Sequence, residues 1–139
     1  MLTKEKLKYL ARWAASPFAA VGAAWLTYIA ARLLYELTQW QYSDPSDLDP
    51  EWYTTLWREG VSNGLMGFSF VACGASVAPS HRAVVAAGYF GMAFSVSAFT
   101  FYLGVQNGFY FPTLVRSVAL IGGSGFALFA LVGEQKRKG

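Results

Sequence analysis

The sequence predicts an all-α integral membrane protein: four transmembrane helices in an antiparallel bundle, with a short N-terminal amphipathic interfacial helix and a short outer-surface helix before the second span. Three observations predict it. Charged residues are only 14% of the chain against 55% hydrophobic ones, about half the charged share of an ordinary soluble domain. The apolar residues fall in four blocks, about 17–38, 60–79, 83–104 and 113–133, each near the roughly 20 residues that cross a bilayer core. The basic residues gather at both termini and in one tight turn, as they do on the cytoplasmic side of a membrane. Residues 1–139 are therefore expected to form a single transmembrane domain.

The N-terminal stretch "TKEKLKYLARWAAS" has Thr3 as an N-cap, with Lys4, Lys8 and Arg12 one turn apart on one face and Leu7, Leu10 and Ala14 on another. That pattern suits a helix lying in the membrane interface, its cations toward lipid headgroups. "SPF" then reads as a boundary: Ser16 can cap a new helix and Pro17 can occupy its first position, where no N–H is needed. The first span is expected to start near Pro17. A cleaved signal peptide fits less well, because the basic region is long and the apolar run exceeds the usual length.

The polar stretch "SDPSDLDPE" follows, and its Asp49-Pro50 step marks the start of another helix, "EWYTTLWREG". Trp52, Tyr53, Leu56 and Trp57 give that segment an interface-seeking side, so it either lies on the outer surface or runs on into the second span. Pro79 ends the second span, and "SHR" is short enough only for a tight turn, which makes spans two and three a hairpin. Asn107-Gly108 is the turn signal between spans three and four. The tail "EQKRKG" is basic.

Orientation follows from the arginines and lysines. Lys4, Lys6, Lys8, Arg12, Arg82, Lys136, Arg137 and Lys138 lie on one side, and only Arg32, Arg58 and Arg116 on the other. An even number of spans returns the chain to its starting side, so both termini are expected in the cytoplasm, in a bacterial inner membrane or its equivalent.

Small residues should mark where helices meet, because lipid tails compete for apolar side chains as well as leucine does. The stripe in span two holds Gly60, Gly64, Gly67 and Gly74; that in span three holds Gly88, Gly91, Ser95 and Ala98. Span four offers Ala119, Gly123, Ala127 and Ala130, and span one Ala20, Ala24, Thr27 and Ala31.

Ionisable residues inside apolar spans are costly unless paired or hydrated. Counting inward from the expected helix ends, Arg32, Glu36, Glu59, Asn63 and Arg116 converge on one level in the outer leaflet. Arg32 and Glu36, four residues apart, are expected to pair and to share a network with Arg116. Trp13, Trp40, Tyr42, Trp52, Trp57 and Tyr110 are placed as an interfacial aromatic belt.

Other chemistry finds little support. Cys73 and His81 are each alone in the chain, which rules out an internal disulfide or two histidine ligands from one chain, so no metal and no cofactor are expected. "GGSG" at 122–125 lacks the strand and the Lys-Ser/Thr of a phosphate loop. The acidic residues Asp44, Asp47, Asp49 and Glu51 match no calcium-loop spacing. No nucleophile is paired with a base, so catalysis is not expected. The net charge of +3 reflects membrane orientation rather than nucleic-acid binding. What remains is a non-catalytic membrane subunit, docking on helices of other membrane proteins or on copies of itself and surrounded by lipid. A channel or transporter ranks second, because the inner halves of the spans carry few polar groups. A lipid-binding or hydrophobic-ligand-binding protein is the third class.

Overall fold

The computed structural model describes residues 3–40 and 51–139, and within them the chain is helical with no strand. Helix α1 is Lys4–Trp40. The next rod is built from α2 (Glu51–Thr55), a π-helical segment (Leu56–Val61) and α3 (Ser62–Val77), without interruption; α4 is Arg82–Gln106 and α5 is Tyr110–Lys138. Four helices are long and apolar enough to cross a membrane: Lys4–Trp40, Glu51–Val77, Arg82–Gln106 and Tyr110–Lys138. Each contains one expected apolar block, except that Ala78 and Pro79 of the second fall in the turn after α3. Tyr42 and the acidic stretch with its Asp49-Pro50 step lie outside the described residues, apart from Glu51, the first residue of α2.

One expected boundary is absent. Pro17 lies inside α1 rather than at the start of a helix, so the N-terminal segment is not a separate element. The proline lacks the N–H that would reach the Trp13 carbonyl, a loss that membrane helices tolerate when their neighbours supply other contacts. Ser16 makes such contacts instead of capping. Its Oγ donates to the Gly74 carbonyl at 2.7 Å and lies 2.8 Å from the Tyr89 hydroxyl. Because the single serine proton is committed to Gly74, the tyrosine is the donor of that second bond. Before span two the structure takes the second of the two expected alternatives: Glu51–Thr55 runs on through the π-helical segment into α3 rather than standing as a separate surface helix.

Helix α1 lies along α3 with residue numbers falling on one as they rise on the other. The Tyr9 and Ser80 hydroxyls are 3.1 Å apart, Arg12 Nε donates to the Val77 carbonyl at 3.2 Å, Thr27 meets Ser69 at 2.9 Å, and Tyr35 donates to Thr54 at 3.1 Å. Helix α3 also packs on α5 and, less extensively, on α4, while α4 packs on α5. Ser97 and Ser117 clasp α4 to α5 reciprocally, each hydroxyl donating to the other's carbonyl at 3.1 and 3.4 Å.

The buried centre is made chiefly of small residues, Ala20, Ala75, Ala86 and Ala127, around Val71 and Tyr89. Alanine there lets backbones approach, so dispersion and hydroxyl bonds can hold helices together where lipid offers no hydrophobic penalty. Two turns close the connections. His81 adopts a left-handed backbone at φ 50° ahead of α4. After α4, Gly108 at φ +79° provides the left-handed residue of a Schellman cap, with Phe109 N–H donating to the Gly104 carbonyl and Gly108 N–H to Val105.

Candidate functional site: a shared carboxylate and an open groove

The π-helical segment is the local irregularity that organises the Trp40 end of the molecule. A π turn widens the helix by one residue and redirects the side chains beyond it, and such turns are frequent at functional sites. Glu59 stands within this segment, its side chain only 13% exposed. Its Oε2 accepts Arg116 Nε of α5 at 2.8 Å and its Oε1 accepts an Arg32 guanidinium N–H of α1 at 3.3 Å. Asn63, buried one turn later, donates to the Glu59 main-chain carbonyl at 2.7 Å and reaches the carboxylate at 3.5 Å. One carboxylate therefore joins three rods.

Glu36 is not part of this arrangement. It is exposed, and among the described residues it pairs with no cation. The Arg32 guanidinium instead lies 5.0 Å from the centre of the Tyr28 ring, one turn back along α1. Side chains on an α-helix lean toward its N-terminus, which carries Arg32 toward Tyr28 and away from Glu36. The expected Arg32–Glu36 pair is thus replaced by Arg32–Glu59.

Two guanidiniums and one carboxylate leave one net positive charge. Among the described residues, three buried polar atoms at this end also lack hydrogen-bond partners: Arg32 Nε, Trp57 Nε1 and Ser62 Oγ. Burying a donor without a partner costs roughly 1–3 kcal/mol, so this end retains unspent hydrogen-bonding capacity.

The glycines divide into two groups. A Cβ at Gly67 would stand 2.6 Å from the Leu120 carbonyl, and one at Gly74 would stand 2.7 Å from the Tyr89 ring and 2.9 Å from Ala20. A Cβ at Gly123 would collide with the Gly64 backbone, so α3 and α5 bring their backbones close together at these two glycines. Gly88 and Gly91 have open space where a Cβ would go. The inward face of α4 is Ala86, Tyr89, Ala93 and Ser97, which leaves Gly88, Gly91, Ser95 and Ala98 exposed on its other side. The span-three stripe thus faces out of this chain's own packing.

The aromatic residues also separate. Trp40, Trp52 and Tyr110 are exposed, and Trp52 stacks edge-on against Tyr53. Trp13 is half-buried against Tyr9, and Trp57 half-buried beside Tyr35, their rings 6.2 Å apart.

Because α1 rests chiefly on α3, a groove stays open between α1 and α4. Its middle section, about 260 Å³, has Val21, Ala24 and Trp25 on one wall and Met92, Ala93 and Val96 on the other, over a floor of Met66, Phe70 and Leu120. A second section shares Val21, Phe70 and Met92 and continues past Gly88 to Trp13 and Pro17.

Sequence reasoning missed the Ser16–Tyr89–Gly74 junction, the Ser97–Ser117 clasp and the close packing of Gly104 on Thr113. Single hydroxyls in apolar runs give no sign of which helix they will meet. The chain matches no protein-family model, no curated protein and no solved structure.

Proposed function

We propose that the chain is a non-catalytic integral membrane subunit that receives a transmembrane helix of another membrane protein on the outward small-residue face of α4, beside the groove between α1 and α4. In this reading the four helices form an antiparallel bundle with both termini in the cytoplasm, and the chain is an accessory or structural part of a larger membrane complex. The observation that carries it is the open position of Gly88 and Gly91. Glycine inside a helix costs about 1 kcal/mol relative to alanine, and nothing among the described residues uses the space these two leave. With Ser95 and Ala98 they form an outward strip of α4, eleven residues and about 15 Å long, which borders the apolar groove at Gly88. A lipid tail adapts to any surface, whereas a second helix gains from a strip low enough for backbones to meet.

The test is a photo-crosslinking amino acid placed at Met92 or Val96, with Phe129, exposed on α5, as control. Expected are adducts from the first two positions that map to an apolar helix of a membrane protein, that the control lacks, and that Gly91→Leu abolishes without changing the melting curve of the purified chain. Adducts to lipid alone would set this reading aside in favour of a lipid-binding protein. Adducts equally strong at Phe129 would also set it aside.

A further inference from the structure

Beyond the groove, a second site lies at the far end of the helices, between α4 and α5. A recess of about 390 Å³ opens there, with Arg116, Thr113, Asn107 and Thr100 among its lining residues and Phe109 and Pro112 beside them. Arg116 spends only its Nε on Glu59; among the described residues its two terminal nitrogens make no hydrogen bond, and its side chain is 44% exposed. Glu59 is already shared with Arg32, so it neutralises Arg116 only in part. The result is a half-exposed guanidinium with unused donors and surplus positive charge, in a recess where Asn107 keeps a second amide N–H beyond the one given to the Leu103 carbonyl and Thr113 adds a hydroxyl, the Thr100 proton being committed to the Ser97 carbonyl.

We propose that this recess binds a phosphate anion, whether carried by a phospholipid headgroup or free in solution. A guanidinium fork matches phosphate oxygens with two parallel N–H bonds, and a charge-assisted pair of this kind is stronger than a neutral hydrogen bond. Depth agrees with the chemistry. Arg116 follows the first residue of α5 by six positions, about 9 Å along the axis, a distance a long arginine side chain nearly spans on its way to the interface. Phe109, Tyr110 and Phe111 are exposed beside the mouth, where aromatic rings sit at headgroup level. Glu36, Glu51 and Arg58 are exposed at the same end, and water and salt screen such charges beyond about 10 Å.

The experiment uses the full purified chain in neutral detergent, titrated with dioleoylphosphatidylglycerol, with dioleoylglycerol, which has the same tails and no phosphate, and with sodium phosphate. Bound lipid is counted by native mass spectrometry and melting is followed by circular dichroism. Expected is binding of the phospholipid in preference to dioleoylglycerol, weakened at least about tenfold by Arg116→Gln and less by Arg116→Lys. Competition by sodium phosphate, with a rise in melting temperature without lipid, assigns the site to the free anion. No competition assigns it to lipid-borne phosphate. Equal binding of both lipids, with no effect of sodium phosphate, overturns the proposal. Should Arg116→Gln unfold, Asn107→Ala with Thr113→Val leaves the Arg116–Glu59 bridge in place. Unchanged phosphate and phospholipid affinity in that double variant overturns the proposal equally.

Discussion

Glu59 and Arg116 meet at 2.8 Å across the interface of the π-helical segment with α5, and the same carboxylate reaches Arg32 on α1. Removing the shared acid leaves two guanidiniums facing each other in a poorly hydrated place. Glu59→Gln should cost roughly 1–3 kcal/mol, below the loss for a fully buried pair because both arginines remain partly exposed. Glu36→Gln should change stability by less than about 0.5 kcal/mol. Combining Glu59→Gln with Arg116→Gln should recover part of the loss, since the leftover charges then fall from two to one. Thermal unfolding in detergent measures all of these, and equal losses for Glu36→Gln and Glu59→Gln would count against the shared-carboxylate account.

Gly67 and Gly123 should tolerate no side chain, because an added Cβ meets backbone that cannot step aside. Alanine at either position is expected to lower the melting temperature. Gly88→Ala and Gly91→Ala should instead stabilise the isolated chain by up to about 1 kcal/mol, through reduced backbone entropy in the unfolded state. Four single variants compared under one detergent condition decide it. A loss at Gly91 as large as that at Gly123 would mean that α4 packs the other way round.

Ser16 mediates between Tyr89 on α4 and Gly74 on α3. Ser16→Ala strands the Tyr89 hydroxyl, which is 8% exposed, and should cost more than Tyr89→Phe, which leaves Ser16 its bond to the Gly74 carbonyl. The difference is expected to be about 1 kcal/mol. Adding Tyr89→Phe to Ser16→Ala should then restore stability, because no polar group is left stranded. If the double variant is less stable than either single one, the tyrosine hydroxyl has another role.

The topology in the proposed function makes Gly139 cytoplasmic and Gln106 external. Cysteine introduced at each, in a Cys73→Ala background, can be probed in intact cells with a thiol reagent that does not cross membranes. Labelling is expected at position 106 only. The reverse pattern would invert the chain in the membrane.

The four spans are readable because block length and the scarcity of charge leave few alternatives for a chain of this composition. Element ends are less readable. Ser16-Pro17 has the local chemistry of a helix start, yet the hydroxyl gains more from Gly74 and Tyr89 than from capping, and neither partner is near it in sequence. The charge network shows the same limit. Arg32, Glu59, Asn63 and Arg116 can be placed at one depth by counting residues, but the choice of Glu59 over Glu36 depends on a π turn and a side-chain lean. Neither leaves a mark on spacing rules written for straight α-helices. Gly88 and Gly91 carry the same small-residue signature as Gly67 and Gly123. Only the facing helices distinguish an inward stripe from an outward one.

The contact of Gly64 with Gly123 also has a bearing on how the chain is made. Gly64 lies on α3 and Gly123 on α5, so Gly64 must wait for its cover until the ribosome has made α4 and the first half of α5. At the usual pace of translation that wait is on the order of several seconds, during which α3 already has α1 to lean on but still bares a strip of backbone toward the lipid. A chain cut short before α5 would keep that strip of α3 backbone uncovered for good.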